Sequence, residues 1–435
     1  MSRVLIAEAK KVGQGEVELA GFVRNFRSHK GLVFMDLADI SGLMQLVLVE
    51  GDNPDIFKLA EKITLESVIK VKGSLKEKPA KKSEPDAPKD FELLISSLEI
   101  ISLAEESLPI PVLVKSDNEA NLDNRLDYRW LDLRQKDKQL IFKVWTKLEE
   151  GIREYLLKNK FTQIYSPSLM STSSETGSDV FEVKYFDKKA YLSQSPQFFK
   201  QMAMAAGLEK VFVFGPVFRA EKSFTSRHTT EFTGWDLEVS YASYDDIMSI
   251  EEDLLIAGFK RIKEDLGLDI DIPTKPFPRV TFKEAKEKLD KAGIKSEKEF
   301  DFSTEEEKVL GEIIKKELDH DFVFIIDYPI EARPFYHMRH EDNPALTKSF
   351  DLLYRGLEVT TGSEREHRVD YLEKQAIEKE MNLEELKDYI NFFRFGCPNH
   401  GGIGMGPVRI ITKILDLPNV KEATFLPRDV NRLNP

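Results

Sequence analysis

The sequence predicts an α+β chain in two parts: a small closed β-barrel of the oligonucleotide-binding type, then a larger antiparallel sheet with helices packed on it. Three observations carry this. Five short strand-like apolar runs lie between Glu16 and Ser102; after Asp137 the apolar residues switch to helical spacing; and no later strand is followed by a Gly-rich phosphate loop, while hairpin-like strand neighbours predominate.

The barrel runs are "VELAGFV", "LVFMDLA", "LMQLVLVE", "SVIKVKGSL" and "FELLISSLEII", broken by "SHKG", "DISG" and a proline-containing loop. A helix-like "NPDIFKLAEKI" sits between the third and fourth, an arrangement that suits an oligonucleotide-binding barrel. The pattern alone does not separate it from other small barrels. A proline-punctuated connection, "SLPIPVLVKSDNEANLDNR", follows, so the organisation expected is a barrel over 1–105, a linker over 106–130 and a second domain over 131–435.

That second domain opens on a helix: Leu140, Ile141, Val144, Trp145, Leu148, Ile152, Tyr155 and Leu156 recur on one face. Strands are expected in "KVFVFGPVF", "WDLEVSY", "FVFIIDYPI" and "SFDLLYRGLEVTTG". Helices are expected in "YDDIMSIEEDLLIAGFKRIKEDL", "TFKEAKEKLDKAG" and "STEEEKVLGEIIKKEL". Thr281 with Glu284, and Ser303 with Glu306, have capping-box spacing.

The bulk numbers narrow the function. A length of 435 residues allows two or three domains of about 150 residues each. A net charge of −13 argues against an indiscriminate polyanion binder, so any nucleic-acid contact must be local. The densest basic stretch, "KVKGSLKEKPAKK", reads on its own as a solvated loop. The N-terminus lacks the features of a secretory signal, no run approaches 18 apolar residues, and the single cysteine, Cys397, excludes an internal disulfide. A cytoplasmic protein without a membrane segment is expected.

The chemistry gathers in "FRAEKSFTSRHTTEF", residues 218–232. Arg219 follows a strand and can project a guanidinium fork, a geometry suited to phosphate or carboxylate. The loop adds Arg227 and His228, and the returning strand brings Phe232, Asp236 and Glu238. Alone, Arg219 could equally be a strand-end arginine paired with Glu221. Downstream, "FDLLYRGLEVTTGSEREHR" supplies Asp351, Glu358 and Thr361, hard oxygens of the kind magnesium takes, or simply polar groups on a solvent face. The glycine cluster "NHGGIGMGPVRII" allows a close backbone approach and ends in Arg409.

Together these stretches resemble one family over essentially the whole chain: the class II aminoacyl-tRNA synthetases, and within them the aspartyl enzymes of the compact archaeal and eukaryotic type. "FTQIYSP" resembles motif 1, the dimer-interface motif; "FRAEKSFTSRHTTEF" resembles motif 2; "GGIGMGPVR" resembles motif 3; and "FLPRDVNRLNP" resembles the family's terminal pattern. No large insertion separates motifs 2 and 3, unlike in the longer bacterial enzymes.

The resemblance implies an α+β class II catalytic domain that activates L-aspartate with ATP and Mg2+ and transfers it to tRNA(Asp), and in some members also to tRNA(Asn), as a homodimer. It implies that Arg219 and Arg409 are the catalytic cations, with Arg219 on the α-phosphate. It implies that Arg227 and His228 take the γ-phosphate of a bent ATP, that Thr229 falls at an ATP-contacting position, and that Phe232 and Arg409 sandwich the adenine. Glu221 falls at a position that contacts the adenine side or the terminal adenosine of tRNA, and Glu358 and Gly406 fall at ATP-contacting positions. Asp351, Glu358 and Thr361 match magnesium ligands. Glu175, Gln197, Lys200, Arg219, Asp236, Thr361 and Arg365 match the aspartate site, with Lys200 and Arg365 on the side-chain carboxylate. On that account asparagine would strand two buried cations. "STSSETGSDVF" resembles a loop that closes over the amino acid. In the barrel, Phe34, Gln45 and Glu92 match anticodon-reading positions, and Arg24, Arg27 and Lys30 could contact the RNA backbone.

The chain departs from the family pattern at Val408, where an acidic residue often precedes the motif 3 arginine, and at Glu364, beside the substrate arginine. Cys397 and His400 in "CPNH" offer half a zinc site and no second half. Two rivals stand beside this reading. An asparaginyl-tRNA synthetase shares the fold, but those enzymes lack a cation at Lys200. A noncatalytic RNA-binding paralogue would have no reason to keep Arg219, Arg409, Asp351 and Glu358 together. The loop "KEKPAKKSEPDAPKD" is where the choice between the two tRNAs is expected.

Overall fold

The structure, a computed structural model, describes residues 3–78, 89–113, 119–172, 180–222 and 225–435. It divides into two compact units, Met1–Asn124 and Arg125–Pro435.

The first unit is a closed five-stranded barrel. Helix α1 (Ile6–Val12) precedes strands β1 (Glu16–His29), β2 (Leu32–Asp39) and β3 (Gly42–Val49); helix α2 (Pro54–Ala60) leads to β4 (Val68–Glu77) and β5 (Phe91–Ser102), and the strand order is β1-β2-β3-β5-β4. Alternation dictates the interior. Val33, Met35 and Leu37 of β2 and Met44, Leu46 and Leu48 of β3 point inward and are buried, so the residues between them face outward. Asn53 caps α2 by accepting from the Ile56 N–H, and proline takes the first helical turn, where its missing N–H costs nothing.

Helix α3 (Leu122–Asp127) spans the unit boundary and, with α4 (Arg129–Asp132) of the second unit, occupies part of the stretch expected as linker. Helix α5 (Lys136–Lys158) then leads to strand β6 (Thr162–Gln163). A small sheet of β7 (Leu169–Met170), β8 (Glu182–Tyr185) and β9 (Lys188–Leu192) follows, then α6 (Gln197–Ala205), β10 (Lys210–Phe218), β11 (Glu231–Ser240), α7 (Tyr244–Leu266), β12 (Arg279–Thr281), α8 (Phe282–Lys291), α9 (Thr304–Leu318) and β13 (Phe322–Ile326). The chain completes the unit with β14 (Ser349–Tyr354), β15 (Glu358–Glu364), α10 (Val369–Glu378), α11 (Lys387–Arg394), β16 (His400–Met405) and α12 (Pro407–Ile414). Both expected capping boxes form, at Thr281 on α8 and Ser303 on α9.

The main sheet has eight strands in the order β12-β13-β14-β15-β16-β11-β10-β6. Its six central strands are antiparallel, as the sequence predicts, while the short edge strands β6 and β12 pair parallel with their neighbours. The apolar stripe of α5 and that of α7 cover one face. Ile141, Val144, Leu148, Ile152 and Leu156 pack with Leu254, Leu255 and Phe259 against Trp235, Leu237, Phe350, Leu352, Ile403 and Met405. Each fully buried side chain of this size contributes about 1.5–3 kcal/mol relative to exposure, so this layer fixes the sheet and frees its opposite face for polar work.

Candidate active site

The opposite face is built by register. Asp236 on β11 opposes Gly404 on β16, Gly404 opposes Thr361 on β15, and Thr361 opposes Asp351 on β14, so four strands contribute to one row. The next row runs Glu238, Gly402, Ser363 and Ser349. The glycines have a steric reason. A Cβ on Gly402 would stand 2.0 Å from Glu238 Oε2, so the motif 3 glycines make room for carboxylates of the neighbouring strand. An extra residue at Val359 breaks the alternation of β15, and Glu358 thereby joins Thr361 in the cavity.

A cavity of about 300 Å3 opens on this face. From the ATP set it is lined by Arg219, Glu221, Arg227, His228, Thr229, Phe232, Glu358, Gly406 and Arg409. From the aspartate set it is lined by Gln197, Asp236, Thr361 and Arg365. Lys200 and Asp351 lie behind the wall, and Glu175 falls outside the described residues.

At one end the charges are paired. Lys200, 1 % exposed, donates to Asp236 Oδ2 at 2.7 Å and to the Ile403 carbonyl at 2.9 Å, with Glu238 Oε2 at 3.5 Å. Arg365 donates through Nε to Glu238 Oε1 at 2.9 Å and through Nη1 to Ser363 Oγ at 2.7 Å. Burial opposes ionisation of Glu238, but Arg365 and Lys200 outweigh it and hold the carboxyl below its usual range. This corrects the charge argument drawn from sequence. The two cations already have anionic partners, so a neutral ligand would not strand them. Glu238, noticed in the sequence but given no role, is the residue that changes the balance. Beside Arg365, His337 is buried and kept neutral, by desolvation first and then by the guanidinium.

At the other end the charges are not settled. Arg219 Nε is buried without a hydrogen-bond partner, and its guanidinium carbon lies 5.5 Å from the Phe232 ring centroid. Arg227 pairs with Glu307 of α9 at 2.9 Å, a partner the sequence did not suggest beyond its place in a helix. Glu307 also accepts from the Glu358 N–H at 3.1 Å. Burial, and then repulsion by Glu358, push its carboxyl up to about 7. Glu358 itself is raised by burial and by Asp351; although 37 % of its side chain is accessible, it sits deep in a concave wall, and Arg409 pairs with it at 3.3 Å. His228 is shifted down by burial and by Arg409, Arg219 and Arg227.

The magnesium trio comes together. Thr361 Oγ1 lies 2.8 Å from Asp351 Oδ1 and 3.5 Å from Glu358 Oε1. Arg333, which the sequence reading missed for want of any motif, pairs with Asp351 at 2.8 Å. Among the described residues no group of three His, Cys, Asp or Glu forms a metal site. Both ring nitrogens of His400 are engaged, Nδ1 with the Pro398 carbonyl and Nε2 with Gln201, which leaves none for zinc. Glu364 does not line the cavity; it lies 3.6 Å from Lys348, which offsets its charge. Val408 lines the cavity and packs into the core. The terminal segment touches motif 2 directly: the Thr230 N–H donates to the Arg428 carbonyl, and Asp429 lines the cavity.

On the barrel, Gln45 opposes Glu92 across the parallel β3–β5 pair and Asp36 across β2–β3. Phe34 is two residues from Asp36 on the same outward face, half-buried and outside the core, so the three anticodon candidates share one surface. Arg24 is tied to Glu66 by two short hydrogen bonds, whereas Arg27 and Lys30 are exposed. Residues 79–88 of the loop expected to select the tRNA lie outside the described residues. No described helix is long and apolar enough to cross a membrane.

Comparison with known proteins agrees with this layout. Residues 121–430 match the family of class II tRNA synthetases (D, K and N), and residues 17–101 match the OB-fold nucleic acid binding domain. The chain is 40 % identical to an aspartate–tRNA(Asp/Asn) ligase of Aeropyrum pernix, over 99 % of this chain and 98 % of the relative. It is 38 % identical to an aspartate–tRNA(Asp) ligase of Thermoplasma volcanium, over all of both chains. Among solved structures, the asparaginyl-tRNA synthetase of Pyrococcus horikoshii with asparaginyl-adenylate matches with a TM-score of 0.89 and 32 % identity over all of both chains. With its barrel, its two-ended cavity and full-length relatives of this kind, the chain belongs to the class II aminoacyl-tRNA synthetases and, within them, to the aspartate–tRNA ligases.

Proposed function

We propose that this aspartate–tRNA ligase works by holding L-aspartate at the paired end of the cavity and ATP at the unsettled end, with the α-phosphorus between them. The observation that carries this is the single cavity wall shared by Arg365 and Gln197 on one side and Arg219 and Arg409 on the other. An oxygen of the aspartate α-carboxylate attacks the α-phosphorus in line, the bond to the bridging oxygen breaks, and pyrophosphate leaves. The terminal ribose hydroxyl of the tRNA then attacks the carbonyl carbon of the adenylate, losing its proton as AMP departs. No side-chain nucleophile is needed. Arg219, which has a buried nitrogen without a protein partner, stabilises charge on the transferring phosphoryl group, and Phe232 and Arg409 hold the adenine.

Asp351, Glu358 and Thr361 would hold Mg2+; their clustered oxygens, with Glu358 raised by burial and then by Asp351, fit a cation. Bound there, the ion supplies Lewis-acid neutralisation of phosphate oxygens. Arg365 reads the substrate β-carboxylate, while Lys200, behind the wall, holds Asp236 in place for the ammonium group. Asparagine would face the guanidinium donors with an amide N–H2; because Glu238 already pairs with Arg365, the preference rests on the lost hydrogen bond to a charged group, about 1.5–3 kcal/mol, and not on a stranded cation. Glu175 is assigned to the loop that closes over the amino acid, and Phe34, Gln45 and Glu92 to the anticodon. The same reading takes 1–105 as the RNA-reading module, 106–130 as the connection and 131–435 as the catalytic domain. It makes the enzyme a cytoplasmic homodimer joined through motif 1, where Tyr165 is 83 % exposed.

The test is transfer of labelled aspartate, with ATP and Mg2+, onto the aspartate and asparagine tRNA transcripts of the source organism. Charging of the first alone gives a discriminating enzyme, as named for the Thermoplasma relative; charging of both gives the dual type named for the Aeropyrum relative. Charging of neither, beside an active control, overturns the proposal, and transfer of asparagine in place of aspartate replaces it with the asparaginyl reading.

A further inference from the structure

Helix α6 turns Gln197, Lys200, Gln201 and Met204 inward at helical spacing, and only two of the polar three have been given work. Gln201 is fully buried at the centre of a hydrogen-bonded chain. Its Oε1 accepts from Gln197 Nε2 at 2.9 Å and from the Tyr389 hydroxyl at 2.9 Å, and its Nε2 lies 3.0 Å from His400 Nε2. His400 Nδ1 lies 2.8 Å from the Pro398 carbonyl.

The direction of every bond in this chain follows from chemistry. A carbonyl oxygen only accepts, so His400 carries its proton on Nδ1. Buried and neutral, its Nε2 is then an acceptor, and Gln201 must present its amide N–H2 there. Gln201 Oε1 therefore faces Tyr389 and Gln197, and Gln197 must answer with its own N–H2. The group Gln197 has left, in the wall of the cavity, is its carbonyl oxygen.

We propose that His400, Gln201 and Tyr389 are positioning residues that lock the Gln197 side chain with its carbonyl oxygen turned to the substrate ammonium. This rests on the reading that aspartate occupies that end of the cavity. A free Gln197 could flip and offer N–H2 to a cation; the relay forbids it, because a flip would leave two amide carbonyl oxygens opposed, with Gln201 Oε1 losing the N–H2 it accepts from. The Arg365 N–H also donates to the His400 carbonyl at 2.8 Å, so the anchor of the relay is joined to the strand end that carries the carboxylate-binding arginine.

The test measures aspartate-dependent ATP–pyrophosphate exchange in the full-length enzyme and in Gln201→Leu. Exchange by the wild type checks the functional reading itself; its absence sinks that reading before the variant is considered. Given exchange, the variant is expected to raise KM for aspartate about tenfold or more, the loss of one hydrogen bond to a charged group, with KM for ATP within twofold. An unchanged KM for aspartate, or an equal rise in both, overturns the relay. Should Gln201→Leu fail to fold, 15N spectra of histidine-labelled wild-type enzyme decide. A neutral His400 protonated on Nδ1 at pH 7.5 is expected, and a proton on Nε2 overturns the assignment.

Discussion

The two ends of the cavity are built on opposite electrostatic plans. At the amino-acid end, two buried cations face two buried carboxylates at 2.7–3.5 Å, and the amides of Gln197 and Gln201 and the imidazole of His400 have fixed hydrogen-bond directions. At the phosphate end, Arg219 keeps a buried nitrogen unused, Arg227 is held by Glu307, and Glu307 and Glu358 repel each other. The first end is finished before a substrate arrives. On the proposed function, the second is completed by a polyanion and a cation, which the protein cannot supply. A pocket that discriminates between nearly isosteric amino acids needs rigid partners, whereas a site for a charged, metal-bound triphosphate can leave its charges unsatisfied until the ligand joins them.

Breaking the finished end should cost stability as well as activity. Arg365→Met leaves Glu238 buried beside Lys200 alone; removing one partner of a buried pair costs about 3–5 kcal/mol, so denaturant melts should show a lower midpoint and aspartate activation should vanish. A variant that melts like the wild type would show that the pairing is not what holds this end. The unsettled end should behave in reverse. Arg219→Ala is expected to lower kcat by about 100- to 1,000-fold, as for loss of one charge-stabilising donor, while the unfolding free energy from denaturant melts stays within about 0.5 kcal/mol of the wild type.

The barrel provides a control outside both ends. Phe34→Ala should raise KM for tRNA by the loss of one stacked base, about 1–3 kcal/mol, with ATP–pyrophosphate exchange unchanged. A change in exchange would mean that the barrel surface acts on the catalytic domain.

The smallest effect sharpens the comparison through pH. The Glu307 carboxyl is raised from 4.5 to about 7, so between these values the folded chain holds a proton that the unfolded chain has released. Stability therefore falls as pH rises from about 4.5 through about 7. Glu307→Gln should flatten that slope, which is at most about 1.4 kcal/mol per pH unit, so the substitution stabilises the enzyme more at pH 8 than at pH 4.5. Thermal melts at the two pH values check it, and a larger gain at the acid end would reverse the sign and exclude Glu307 as the strained group.

Much of this molecule is legible locally. The five barrel strands show in their alternation, α5 in its eight-residue apolar stripe, and α8 and α9 in their capping boxes; Arg219, Arg227 and Arg409, singled out in the sequence, line one cavity. Arg333, Glu307 and the role of Glu238 are not. They pair with groups on other elements, and nothing in the local pattern marks them: Arg333 follows a single 3-10 turn, Glu307 is one of three acidic residues in the first turn of α9, and Glu238 lies within β11.

The sequence by itself determined the elements, the alternation that separates the apolar face of the sheet from the polar one, and the inventory of charges, because these depend on side-chain period and on neighbours within a few residues. Only the tertiary structure decided which charges meet. Register aligned Asp351, Thr361, Gly404 and Asp236 in one row, a bulge at Val359 brought Glu358 into the cavity, and strand packing seated Glu238 against Arg365. Coulomb interactions and hydrogen bonds act through space at a few ångströms, so residues 127 positions apart in the chain can neutralise one another, and no local reading of either one reveals it.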